Sequence, residues 1–237
     1  SGGYAIVLIV ACMFFGALSG SAAATVAAIG GIMVPHMVKK GYDARFSTAT
    51  AAASAGLAVI IPPSISMILY CVATNVSITK LFTAGIIPGI LLGLTEIVYA
   101  RRVCKKNGFT GDEKKSGAER WATFKKAIWA LFMPIIILGG IYGGFFTATE
   151  ASAVAVAYAM IVGFFVYRTL TLKKLFETFK EAAIMVTVIM LVLSTAQLFA
   201  YILTYANVPT TVANWFIGFA ANKYMFLVLI NFFLLIV

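Results

Sequence analysis

The sequence predicts an all-α, polytopic membrane protein whose apolar spans are interrupted by helix-breaking residues, and three observations carry that prediction. Of 237 residues, 62% are hydrophobic and only 11% charged, too apolar for a soluble domain with a polar skin. Several stretches exceed the roughly 18 apolar residues that a bilayer crossing requires, and they recur along the chain instead of standing once at its start. All but two of the 18 basic residues, Lys80 and Lys223, fall in three short segments, Lys39 to Arg45, Arg101 to Lys126 and Arg168 to Lys180. Basic residues gathered at span ends mark the cytoplasmic side. The net charge of +10 therefore reads as membrane topology, with segments 36–46, 101–126 and 168–180 cytoplasmic, and not as a nucleic-acid surface.

The first element begins at once. Ser1-Gly2-Gly3 run into an apolar helix with no apparent cleavable signal, and Phe232 to Val237 stop inside another, so the chain reads as a fragment cut at both ends. Residues 4–18 and 22–34 are apolar but separated by Ser19-Gly20-Ser21. At 1.5 Å per residue each half spans about 20–23 Å, short of the roughly 30 Å hydrocarbon core. Two arrangements fit: one long tilted helix, or a re-entrant hairpin with Ser19-Gly20-Ser21 at its tip. The hairpin requires cover from protein or a wet cavity, since irregular backbone is not tolerated in lipid.

Segments 47–74 and 81–100 then carry the chain out and back, and 127–144 with 149–167 do so again, so parity agrees with the charge clusters. Between these pairs, 101–126 reads as a solvated linker leading into an interfacial helix near Trp121; binding of anionic lipid is the sharper alternative. Segment 182–205 crosses outward to a turn at Asn207-Val208-Pro209-Thr210. Residues 212–221 are too few to cross, and their placement stays open.

The first motif with chemistry is "GLAVIIPPSISMILY", residues 56–70. Proline lacks an N–H and crowds the carbonyl four residues back, which predicts that the carbonyls of Ala58 and Val59 lose their helical partners. Pro62 and Pro63 suit the first turn of a new helix, whose unbonded N–H groups near Ser64 favour an anion. Ion-coupled carriers pair freed carbonyls with such a helix end. The plain alternative is a kink satisfied by neighbouring Ser or Thr. The second motif, "LSGSAAATVAAIGG", residues 18–31, offers Ser19, Ser21 and Thr25 hydroxyls beside a permissive Gly20; close packing of small residues explains it equally well.

In the third motif, "GGFFTATEASA", Thr147 and Glu150 fit a helix-capping box. Glu96, a turn or so from Arg101 and Arg102, is expected in an interfacial ion pair. Gln197 and Asn231 are candidate interhelical hydrogen-bonders, and His36 abuts a basic segment as an interfacial residue. Cys12, Cys71 and Cys104 lack metal or disulfide spacing and read as free small apolar side chains. No metalloprotease motif, P-loop or metal cluster is present, so the expectation is that the chain is not an enzyme.

Taken in order, "SGSAAATVAAIGGIMVP", "GYDARFSTATAAASAG", "IIPPSISMILY", "VSITKLFTAGIIPGILLG" and "GIYGGFFTATEASAVAVAYAMIVG" resemble the large membrane subunit of tripartite ATP-independent periplasmic (TRAP) transporters of the dicarboxylate and sialic acid type. The resemblance covers most of residues 10–165. It implies a partial chain of an elevator-type, Na+-coupled importer in the bacterial inner membrane. It also implies a small four-helix membrane subunit, and a soluble periplasmic binding protein that delivers an organic anion.

On that resemblance, 1–35 is the first re-entrant hairpin and 36–80 the discontinuous helix, together forming a transport domain. Residues 81–126 are a span with its basic loop, 127–180 a helix pair, and 181–237 helices leading to a second hairpin. The implied Na+ site draws on Ser19, Gly20, Ser21, Gly56, Val59, Pro62 and Ser64, and the implied substrate contacts are Ser21, Thr25 and Ser64. Departures from the family pattern are Ala22 and Ala23, where members often carry Ser and Pro, and Ala148, where Pro is common. Other ion-coupled carriers that need no binding protein, and a non-transporting structural subunit, are the rival readings.

Overall fold

A computed structural model describes residues 2–111, 116–219 and 222–236. The described residues are helical with no strand, and they divide into two compact units, 1–170 and 171–237. Six segments, Ala22–Lys39, Ala44–Thr74, Ile78–Lys106, Gly117–Tyr142, Ala148–Val166 and Leu172–Tyr205, are long and apolar enough to cross a membrane. Their outer faces carry large apolar side chains in the open, such as Ile87, Leu91, Leu94 and Ile135, a pattern that a soluble surface does not sustain.

The first unit begins with a helical hairpin. α1 (Gly3–Ser19) ends at the tip, and α2 (Ala22–Thr25) continues through a π turn, Val26–Gly30, into α3 (Gly31–Lys39). Tyr4, at the start of α1, meets the His36 ring edge-on at 5.0 Å, so the chain folds back and is not one long helix. The limbs exceed the apolar halves visible in the sequence because helix continues through Pro35-His36-Met37 into the basic segment. His36 itself is exposed at that end.

α4 (Ala44–Ile60) starts at Asp43, whose carboxylate accepts from Phe46 N–H at 2.8 Å, and packs along the hairpin. A Cβ on Gly16 would stand 2.7 Å from that of Ala58, and one on Gly30 would stand 3.4 Å from Ala51 Cβ. Small residues thus set the helix separation here. α5 (Ile65–Thr74) follows the break, then α6 (Ile78–Lys106). In α6, Gly85, Gly89 and Gly93 recur every four residues on one face. Cβ atoms there would meet Ile60 O at 2.6 Å, Ile61 Cγ1 at 2.7 Å and Met13 Sδ at 2.6 Å, so this stripe seats both the break and α1.

The unit closes with α7 (Gly117–Tyr142) and α8 (Ala148–Ile161), the latter ending in a second π turn, Val162–Val166. α8 starts with the expected capping box: Thr147 N–H donates to Glu150 Oε2 at 2.8 Å and Glu150 N–H to Thr147 Oγ1 at 3.3 Å. Ala148 serves as first helical residue. The second unit contains α9 (Leu172–Tyr205), α10 (Val208–Phe219) and α11 (Lys223–Ile236).

Several helices start or end beyond their apolar stretches. α6 runs from 78 to 106 instead of 81 to 100, α7 begins ten residues before 127, and α9 ten before 182. Lys, Arg and Glu are good helix formers, and each start is capped: Ser77 accepts from Lys80 N–H, Ser116 and Glu119 form a reciprocal box, and Thr171 accepts from Lys174 N–H. The turn expected at Asn207–Thr210 is shorter, with only Asn207 left-handed (φ 55°) before α10 incorporates Val208 and Pro209. All three cysteines are free and buried, as their spacing predicts.

Candidate functional site

The two sequence interruptions meet. Gly20 closes α1 in the left-handed conformation (φ 61°, ψ 12°), its N–H bonded to Gly16 O at 2.8 Å. Its carbonyl points across the unit and accepts from Ile65 N–H, the first residue of α5, at 3.2 Å. A Cβ on Gly20 would lie 2.9 Å from Ile65 N, 3.1 Å from Pro63 O and 3.2 Å from Ser64 Cα. Glycine is required here twice, by the positive φ and by this approach.

Within the tip, hydroxyl and carbonyl oxygens converge. Ser19 Oγ and Thr25 Oγ1 share a hydrogen bond at 3.1 Å. Thr25 Oγ1 donates to Ser21 O at 2.8 Å, and Ser21 N–H donates to Ser19 Oγ at 3.3 Å. Ser21 caps α2 by accepting from Ala24 N–H. Thr25 is fully buried, whereas Ser19 and Ser21 are half-buried.

The break differs from its expected form in two respects. Pro62 and Pro63 do not occupy the first turn of α5; both lie in the irregular stretch between Ile60 and Ile65. Each of Ile61 and Pro62 precedes a proline and is driven from helical backbone, and Ile61 is accordingly extended (φ −76°, ψ 122°). Ser64, extended in turn, stands immediately before the new helix. Secondly, the Val59 carbonyl is not left open, because the buried Ser64 hydroxyl donates to it at 2.7 Å. A carbonyl has a second lone pair, so this bond and a cation are compatible at one oxygen. Gly56 is half-buried one turn before the end of α4, with open space where its Cβ would stand.

The arrangement is chemically neutral. No group of three His, Cys, Asp or Glu side chains occurs among the described residues. The oxygens at the junction are hydroxyls and main-chain carbonyls. Hard oxygen donors without a carboxylate suit a weakly charged hard cation better than a transition metal, and the first turn of α5 adds a positive helix end close by. An apolar cavity of about 280 Å³ adjoins the break, lined by Phe14, Ile61, Pro62 and Pro134 among others.

Other candidates fall elsewhere. Glu96 does not pair with Arg101 or Arg102; its Oε2 accepts from the buried Ser54 hydroxyl of α4 at 2.7 Å. The side chain projects toward the neighbouring helix, whereas those arginines lie further along α6 toward the basic end. Asn231 donates one N–H to Leu227 O of its own helix at 2.8 Å, and Asn231 and Gln197 are both exposed. Nothing local in the sequence relates Ser54 and Glu96, which stand 42 positions apart.

A family profile described as "Tripartite ATP-independent periplasmic transporter, DctM component" matches residues 1–237. The chain is 42% identical over its whole length to the isethionate TRAP transporter permease protein DctMQ of Oleidesulfovibrio alaskensis, covering 37% of that protein. It is 41% identical over 99% of its length to the C4-dicarboxylate TRAP transporter large permease protein DctM of Pseudomonas aeruginosa, covering 55% of it. The sialic acid TRAP transporter permease protein SiaT of Haemophilus influenzae is 38% identical over 98% of the chain and is covered to 38%. The chain thus spans about half or less of the length of these relatives.

Proposed function

Because the chain belongs to the DctM-component family of tripartite ATP-independent periplasmic transporters, we propose that it forms part of the membrane subunit of a Na+-coupled importer of organic anions. The contact between hairpin tip and helix break, Ile65 N–H to Gly20 O at 3.2 Å, is the observation that carries the reading. Two interruptions far apart in sequence serve one place, where neutral oxygens and a positive helix end coexist. That combination suits simultaneous binding of Na+ and an anion.

In this proposal the Na+ ligands come from Ser19, Gly20, Ser21, Gly56, Val59, Pro62 and Ser64, several through main-chain carbonyls. Ser21, Thr25 and Ser64 are the proposed substrate contacts; Thr25 and Ser64 are buried and Ser21 is half-buried. The hairpin and broken helix move together as a transport domain against a scaffold, in elevator fashion. The relatives' names specify isethionate, C4-dicarboxylate, sialic acid and ectoine; each carries a carboxylate or sulfonate group, ectoine as a zwitterion, which supports a substrate recognised through an anionic group. The partners are a small four-helix membrane subunit and a periplasmic binding protein, in a bacterial inner membrane whose cytoplasmic face carries the basic segments.

The test is uptake of candidate carboxylates and sulfonates into proteoliposomes containing the full-length protein, its small subunit and its binding protein, with and without a Na+ gradient. Uptake that needs both Na+ and the binding protein, and a Ser19→Ala variant that folds but requires more Na+ for half-maximal rate, are the expected results. Uptake indifferent to the binding protein would transfer the chain's role to a carrier working alone. Unchanged Na+ dependence in Ser19→Ala would remove that hydroxyl from the ion site.

A further inference from the structure

The basic end of the α7–α8 pair carries a feature that lies outside the proposed ion and substrate site. Trp121 and Phe124 of α7 stack at 5.6 Å between centroids, and Lys125 Nζ lies 5.7 Å from the Trp121 ring centroid. The spacing i, i+3, i+4 puts all three on one face. Trp121 is 58% exposed, and Arg120, Lys125 and Lys126 are exposed too.

α8 contributes a fourth charge from a fixed position. Tyr158 Oη donates to Trp129 O and Tyr167 Oη to Lys126 O, both at 2.7 Å, tying the end of α8 to α7. Arg168, exposed and left-handed (φ 53°), follows Tyr167 directly. The N–H groups of Thr169 and Leu170 hold the turn by donating to Gly163 O at 3.1 and 3.2 Å. Among the described residues at the start of α7, the acid Glu119 is turned toward its own helix start, accepting from Ser116 N–H at 3.2 Å.

We propose that this end of the α7–α8 pair is a binding site for an anionic phospholipid, with Lys125, Lys126, Arg120 and Arg168 around the phosphate and the Trp121–Phe124 stack against the glycerol and upper acyl chain. Charge complementarity selects the lipid. The site joins cations to an exposed aromatic platform at the end of a membrane span, where indole rings sit at headgroup level, and basic clusters beside spans attract anionic headgroups. A free phosphate ion would use the cations but not the rings. The inference rests on the chain being membrane-embedded and not on its transport cycle.

The experiment uses the full-length protein with its membrane partner, purified in neutral detergent and titrated with phosphatidylglycerol, phosphatidylcholine or glycerol 3-phosphate. Retained lipid is read by native mass spectrometry and thermal stability in parallel. Phosphatidylglycerol should bind selectively, weaken as salt rises, and bind roughly a hundredfold more weakly to the triple variant Lys125→Gln/Lys126→Gln/Arg168→Gln, about fivefold for each charge removed. Trp121→Ala should weaken it and Trp121→Phe largely restore it, while Lys125→Arg/Lys126→Arg should bind like wild type and show that the fold survives substitution.

Equal binding of phosphatidylcholine, a response to glycerol 3-phosphate matching that to the lipid, or undiminished phosphatidylglycerol binding by the folded triple variant would each overturn the proposal. So would loss of the membrane partner from the triple variant with lipid retained, which would assign the patch to a protein contact.

Discussion

Gly20→Ala tests the junction of tip and break most directly. Alanine in the left-handed conformation costs about 1–2 kcal/mol. Its Cβ would also stand 2.9 Å from Ile65 N and 3.2 Å from Ser64 Cα, so the break must withdraw and the Ile65 N–H to Gly20 O bond is lost, about 0.5–1.5 kcal/mol more. Together these come to roughly 2–4 kcal/mol with the cost of displacement included. The shift per kcal/mol falls with chain length, and the DctM relative is about twice as long as this chain, so the melting temperature falls by about 2–8 °C, measurable by circular dichroism of the purified full-length protein in detergent. If ion binding requires the intact junction, the Na+ concentration for half-maximal uptake rises more than tenfold, since about 1.4 kcal/mol is a factor of ten. Gly56→Ala is the paired control: its Cβ meets nothing within 4 Å, and replacing a helical glycine stabilises by about 0.5–1 kcal/mol. A Gly20→Ala protein as stable as wild type, or one melting no lower than Gly56→Ala, would refute the account of the junction.

Two further substitutions separate bonding from charge. Ser64→Ala removes the donor to Val59 O and should cost about 1–3 kcal/mol, with Ser64→Thr recovering most of it; thermal melts of the two variants settle the comparison. Glu96→Gln keeps an acceptor for Ser54 while removing a charge from a membrane span, so its melting temperature should equal or exceed wild type. Glu96→Ala leaves the buried Ser54 hydroxyl without this partner and should melt lower; the reverse order would mean that the charge itself is needed for folding.

How far the sequence is legible depends on the range of the interaction. The Thr147–Glu150 cap, the interruptions at Ser19-Gly20-Ser21 and Pro62-Pro63, and the free cysteines follow from rules that act over a few residues. Residues that pair across helices do not announce each other: Glu96 finds Ser54, and Gly20 finds Ile65, through packing of α1, α4 and α6. Proline's fitness for a first helical turn competes with its effect on the residue before it, and at Pro62-Pro63 the second wins: Ile61 is extended and α5 starts only at Ile65. Helices extend into the basic segments beyond their apolar stretches; hydropathy registers where a helix is apolar, not where its capping residues stand.

Packing and binding are not competing explanations for the small residues of this chain. The Gly16–Ala58 and Gly30–Ala51 approaches bring α4 close enough to the hairpin for the Gly20 carbonyl to reach α5, and larger side chains at those positions would separate the oxygens that the proposed ion needs. Conversely, the hydroxyls that would hold an ion already hold the tip together, since Thr25 Oγ1 bonds both Ser19 Oγ and Ser21 O. Substitution of any one of them must therefore alter stability whether or not an ion binds. The discriminating quantity is the dependence of that stability on Na+: an ion bound only by the folded junction stabilises it in proportion to the logarithm of its concentration above the dissociation constant, whereas packing alone yields the same melting temperature in Na+ and in a larger monovalent cation. Only the first outcome makes the tip a site as well as a joint.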